Sequence, residues 1–135
     1  MENACMSEAA APVARTVLVV EDEPLLRLVL SDLLRAEGLV VVEAANAVEA
    51  LDLLAAGVAA DFVFTDVRMP GPIDGLELVR RVAVSHPGLP MMLTSGHLER
   101  PLSEPEVGFL RKPYLPADAV AAILAVMQRS ETDGD

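Results

Sequence analysis

The residues in this chain that say most about chemistry are acids placed where apolar runs stop. V-L-V-V-E-D-E-P, Val17 to Pro24, carries four apolar residues straight into Glu21, Asp22 and Glu23, and D-F-V-F-T-D, Asp61 to Asp66, ends in a further carboxylate. Two like unit charges about 4 Å apart repel by roughly 4 kcal/mol at an effective dielectric near 20, so acids brought together need a counter-charge. A hard divalent cation supplies one. Mg²⁺ takes oxygen ligands, often one or two carboxylates with water and a phosphate oxygen, and no His-Cys grouping here suits a transition metal. Two other apolar runs end in groups that suit an anion. Met91-Met92-Leu93 leads into Thr94-Ser95-Gly96, hydroxyl donors followed by a residue whose backbone can approach a ligand, and Gly108 to Arg111 leads into Lys112-Pro113. Acids, a hydroxyl and a lysine on one rim would bind a phosphoryl group beside a metal, with Lys112 as the compact positive charge.

For these groups to meet, the runs that carry them must be neighbouring strands. Short β-branched or aromatic segments at Thr16–Val20, Leu39–Glu43, Asp61–Thr65, Met91–Thr94 and Gly108–Arg111 read as strands. Between them, Leu25–Glu37, Ala47–Ala56, Leu76–Ser85 and Ala117–Gln128 have helical spacing. The first sets Arg27, Ser31 and Arg35 on a polar stripe with Gly38 as its stop, and the last sets Val120, Ile123, Leu124 and Met127 on an apolar face. The link from Gly96 to Val107 holds Pro101 and Pro105, so a fourth helix there is expected to be shortened, irregular or absent. Regular alternation implies an α/β fold, a doubly wound five-stranded parallel sheet with helices on both faces. In the order 2-1-3-4-5 the ligand crevice lies outside the carboxyl ends of strands one and three, where Glu21, Asp22 and Asp66 sit.

Composition narrows the partners. The 135 residues suit one domain, expected to span 15–129, with a flexible leader at 1–14 and a flexible acidic tail at 130–135. A net charge of -11 without any basic stripe argues against nucleic acid. No apolar run is long enough for a bilayer, the N-terminus lacks the pattern of a secretory signal, and Cys5 is the only cysteine, which together point to a soluble protein of the reducing cytoplasm.

The chain from about Thr16 to Met127 resembles the receiver domain of bacterial two-component response regulators, a flavodoxin-like three-layer sandwich. V-L-V-V-E-D-E-P, T-D-V-R-M-P-G, I-D-G-L-E-L, L-T-S-G and F-L-R-K-P-Y all occur in the family's order. The resemblance implies that Asp66 is the phosphoacceptor, and that Glu21 and Asp22 hold Mg²⁺ with Asp66 and the backbone carbonyl of Arg68. It implies that Lys112 pairs with the phosphoryl oxygens and that the bond to Pro113 is cis. The family's switch hydroxyl lies five places after the proline that opens strand four, which selects Ser95 over Thr94. Gly96 then leaves room for the phosphoryl group, and Phe109, three before Lys112, matches the aromatic that swings inward on activation. Arg68 and His97 are candidates for tuning the lifetime of the phosphoryl group, against a plain loop position for His97.

The implied function is that of a phosphoacceptor in a phosphorelay, taking phosphate from a sensor histidine kinase or a histidine phosphotransfer protein and switching its binding to a downstream protein target. It would not be an enzyme beyond its own Mg²⁺-dependent phosphorylation and dephosphorylation. The resemblance extends to stand-alone receivers, since about eight residues follow the last helix, and the exposed alanines Ala121, Ala122 and Ala125 fit a monomer or a weak homodimer. Two alternatives differ in class. A Mg²⁺-dependent aspartyl-phosphate phosphohydrolase would favour a second acid two residues after its nucleophile, where this chain has Arg68; the other is a receiver fragment of a hybrid histidine kinase. Pro72 is an apparent extra residue in the loop M-P-G-P-I-D-G.

Overall fold

The structure is a computed structural model that describes residues 14–96 and 107–133. In chain order the elements are β1 (Thr16–Val20), α1 (Pro24–Ala36), β2 (Val40–Ala44), α2 (Ala47–Ala55), β3 (Phe62–Asp66), α3 (Gly75–Ser85), β4 (Met91–Ser95), β5 (Val107–Arg111) and α4 (Pro116–Asp133). All pairings are parallel, in the order β2-β1-β3-β4-β5. The expected shortened helix between β4 and β5, and His97 with it, falls outside the described residues.

Side-chain alternation along the strands divides the interior into two layers. Leu18, Val20, Val63, Met91 and Leu93 face one way and pack with Ala47, Ala50 and Leu54 of α2 and Leu78, Val79 and Val82 of α3. Val17, Val19, Phe62, Phe64 and Met92 face the other way, against Leu30 and Leu34 of α1 and Ala119, Val120, Ile123 and Met127 of α4. Strands buried on both faces are nearly all apolar, so their polar residues are left for the C-terminal ends.

Local signals set the helix limits. Pro24 opens α1, where its missing N–H costs nothing, and Gly38 after its end takes φ 90°, a conformation that residues with a Cβ seldom adopt. Asn46 Oδ1 accepts from the Glu49 N–H at 2.8 Å while Glu49 Oε1 accepts from the Ala45 N–H at 2.6 Å, so α2 begins on a reciprocal cap. Asp74 Oδ1 caps α3 through the Glu77 N–H at 2.9 Å.

The polar stripe of α1 takes a particular form, and the end of the last helix needs correction. The stripe Arg27, Ser31 and Arg35 is divided by burial: Ser31 is fully buried, Arg27 half-buried and Arg35 exposed, and both arginines reach Glu43 on β2, at 3.3 Å and 3.1 Å. A helix face that meets a charged strand edge has the same polar spacing as one that meets water, and here Leu25 and Leu28 are exposed on the same helix as Asp32 and Arg35. The last helix runs to Asp133 rather than stopping near Gln128, so most of the segment 130–135 expected to be a flexible tail is helical. No glycine or proline interrupts the sequence before Gly134, and polar residues alone do not end a helix.

Candidate functional site

Continuing the sheet by one residue brings the polar groups together. Val20 pairs with Thr65 across β1 and β3, so Glu21 stands beside Asp66, and Asp66 in turn pairs with Thr94 on β4. Oxygens of Glu21, Asp22 and Asp66 lie within 4.8 Å of one another, the one such acidic group of three found among the described residues. From β5 the chain delivers Lys112, whose Nζ donates to Asp66 Oδ2 at 2.8 Å and whose backbone N–H donates to the Ser95 carbonyl at 3.0 Å. The Lys112–Pro113 bond is cis. Burial works against the Lys112 ammonium, but the bond to Asp66 and the charges of Asp66, Glu21 and Asp22 outweigh it and hold its pKa above the ordinary lysine value.

Glu21 is only 1% exposed. Its Oε2 accepts from the Glu23 N–H at 3.1 Å, while its Oε1 has no partner among the described residues. Burial, with the neighbouring charge of Asp66, raises its pKa from 4.5 to about 7 against the opposing Glu23 bond. Glu23 itself is the N-cap of α1 without a side-chain cap bond; its contribution to the site is the backbone N–H. A buried carboxylate oxygen without a donor, two further carboxylates in reach and no nitrogen or sulfur ligand make a donor set that fits a hard cation.

Ser95, 2% exposed, lines a cavity of about 460 Å³ with Asp66, Arg68, Gly96, Lys112 and Pro113. Arg68 also borders an adjoining cleft with Asp22 and Ser95. Phe109 is half-buried against the core layer that contains Leu93, so it lies outside the cavity lining. A Cβ on Gly96 would sit 3.7 Å from the Lys112 Cβ, an ordinary contact.

Three residues that support the site were not singled out from sequence. Arg27 Nη1 donates to the Glu21 carbonyl at 2.7 Å while its Nε binds Glu43, bracing the end of β1 against β2 and α1. Gly75, the first residue of α3, packs so closely on the Asp66 carbonyl and the Val67 Cα that a Cβ there would overlap both, and its N–H donates to the Val67 carbonyl at 2.9 Å. Tyr114 sets its ring edge-on to Phe64, centroids 6.3 Å apart. The D-G pair ahead of an apolar run could have flagged Gly75. Nothing in the sequence tells Arg27 apart from a surface arginine.

Comparison with known proteins agrees with this geometry. The family described as the response regulator receiver domain matches residues 17–124. The transcriptional regulatory protein FixJ of Azorhizobium caulinodans is 35% identical over 130 residues, covering 91% of this chain and 60% of FixJ. The sensor kinase CckA of Brucella abortus is 32% identical over 122 residues, 86% of this chain and 13% of the kinase. The chain thus spans less than two thirds of either relative's length. Among solved structures, a response regulator receiver protein from Sinorhizobium medicae WSM419 superposes with a TM-score of 0.78 at 28% identity, covering 87% of this chain and 97% of that one.

Proposed function

The chain belongs to the response regulator receiver domain family of two-component systems, and on that premise we propose that Asp66 accepts a phosphoryl group with Mg²⁺ held by Glu21, Asp22, Asp66 and the Arg68 carbonyl. The observation that supports this reading is the 2.8 Å bond from Lys112 Nζ to Asp66 Oδ2 beside the three clustered acids, an ammonium and three carboxylates at the carboxyl end of the sheet.

An Asp66 carboxylate oxygen attacks phosphorus as the P–N bond of a phosphohistidine donor breaks and its electron pair returns to the imidazole. Mg²⁺, when bound, neutralises charge on the phosphoryl oxygens. Lys112 starts on Asp66 and exchanges that partner for a phosphoryl oxygen, adding a second positive charge where negative charge gathers. The Ser95 hydroxyl, facing the same cavity, donates to the phosphoryl group, and Phe109 follows inward to fill the space left behind. Arg68 on the cavity rim shields the acyl phosphate and sets its lifetime. Chemistry ends with this phosphorylation and its hydrolysis, and the output is altered binding to a protein target in the cytoplasm. No helix among the described residues is long and apolar enough to cross a membrane. The donor is a sensor histidine kinase or a histidine phosphotransfer protein, in keeping with CckA being named a sensor kinase.

Beryllofluoride, which mimics a phosphoryl group on aspartate, tests this by NMR. With Mg²⁺ the wild type is expected to shift amide signals at Ser95, Gly96 and Phe109, and Asp66→Asn to shift none. A wild-type spectrum unchanged by beryllofluoride overturns the proposal.

A further inference from the structure

β1 stops one residue short of the acids it delivers. Val20 is its last residue paired with both neighbours, Ala44 on β2 and Thr65 on β3, so Glu21 and Asp22 stand just past the ladder. The peptide that joins these two acids is one rigid plane carrying both Cα atoms, and whatever fixes that plane fixes the origin of two successive carboxylates. Its carbonyl, that of Glu21, accepts from Arg27 Nη1 at 2.7 Å. The preceding peptide is held as well, since the Glu21 N–H donates to the Ala44 carbonyl at 3.0 Å.

Arg27 is itself held. Its Nε donates to Glu43 Oε1 at 3.3 Å, and the other oxygen of Glu43 accepts from Arg35 Nη2 at 3.1 Å. Glu43 lies on β2 opposite Val19, so one guanidinium ties the first turn of α1 to the ends of two strands. A guanidinium presents several donors in a fixed plane and can serve a carbonyl and a carboxylate together, whereas an ammonium has one nitrogen for both. An ion pair whose side chains are 20% and 30% exposed contributes little by itself. What a plain surface pair lacks is the contact to Glu21. We propose that Arg27 is a positioning residue for the metal site: through the Glu21 carbonyl it sets the peptide plane from which Glu21 and Asp22 reach the cation, and Glu43 orients Arg27. Groups behind a ligating residue hold it in orientation and raise metal affinity without touching the metal.

The inference rests on the Mg²⁺ site proposed above, and the variants separate the two. In calorimetric titrations Arg27→Met, which keeps an unbranched stem and removes every donor, is expected to raise the Mg²⁺ Kd about tenfold. The sign is informative, because losing a positive charge near the acids would by itself tighten the binding of a cation. Arg27→Lys keeps the charge and gives a smaller rise. Arg35 pairs with Glu43 and Asp32 but not with Glu21, so Arg35→Met is expected to leave the Kd unchanged. In the metal-free protein the Glu21 carbonyl carbon is expected to shift upfield by NMR in Arg27→Met, as a carbonyl does on losing a donor, and to stay in place in Arg35→Met. A wild type that takes up no Mg²⁺ overturns the metal site and the positioning role with it. A wild type that binds while both Arg27 variants bind as tightly, or while Arg35→Met is weakened equally, overturns the positioning role alone.

Discussion

Glu21 and Asp22 are adjacent acids with different physical states. Asp22 is exposed, whereas Glu21 is buried with a pKa raised to about 7 from 4.5. The sign of the linkage follows from the direction of that shift. Between pH 4.5 and 7 the folded chain keeps a proton that the unfolded chain has released, so metal-free stability falls as pH rises through this window. The loss reaches on the order of 3 kcal/mol above the window, from about 1.4 kcal/mol per pKa unit. Urea unfolding in chelator at a series of pH values is expected to show this decline in wild type and a much flatter curve for Glu21→Gln. Equal slopes for the two proteins would remove Glu21 as its source. Mg²⁺ should stabilise wild type more at pH 8 than at pH 5, because Glu21 is ionised only at the higher value.

At the scale of elements, α3 begins pressed onto the strand end that carries Asp66. Alanine at an ordinary helix position improves on glycine by up to about 1 kcal/mol. At Gly75 the added Cβ would overlap the Asp66 carbonyl, so the sign reverses. Gly75→Ala is expected to lower the unfolding free energy by about 1–3 kcal/mol, the usual range for overpacking, and to slow phosphorylation by displacing Asp66. Gly96→Ala, with only an ordinary contact to Lys112, serves as the control and should leave stability nearly unchanged. Urea midpoints decide the matter; a Gly75→Ala protein as stable as wild type would mean that α3 does not constrain the Asp66 backbone. Apart from the end of the last helix, element positions were legible in sequence to within about a residue, because β-branched runs and Gly38 are local signals. The side of α1 that faces inward was not. Arg27, Ser31 and Arg35 give the same spacing whether they meet water or Glu43, and only the docking of α1 against β2 separates the two cases.

Across the whole molecule, a parallel sheet buried on both faces confines charge to one edge, and the winding order decides which strand ends are neighbours there. That is why Glu21, Asp22, Asp66 and Lys112 could be picked out from sequence: each interrupts the end of an apolar run. Arg27 and Tyr114 could not, since their value lies in what other elements bring to them, a strand carbonyl and Phe64, and Gly75 had only the D-G pair before an apolar run to mark it. The family of the chain, its strand order and its acid cluster meet in one central claim, that Asp66 is the phosphorylated residue. Intact-mass spectrometry after incubation with acetyl phosphate and Mg²⁺ tests it most directly. The expected result is a single phosphoryl adduct on wild type that chelator prevents and that Asp66→Asn lacks; an undiminished adduct on Asp66→Asn, or none on wild type, would contradict it.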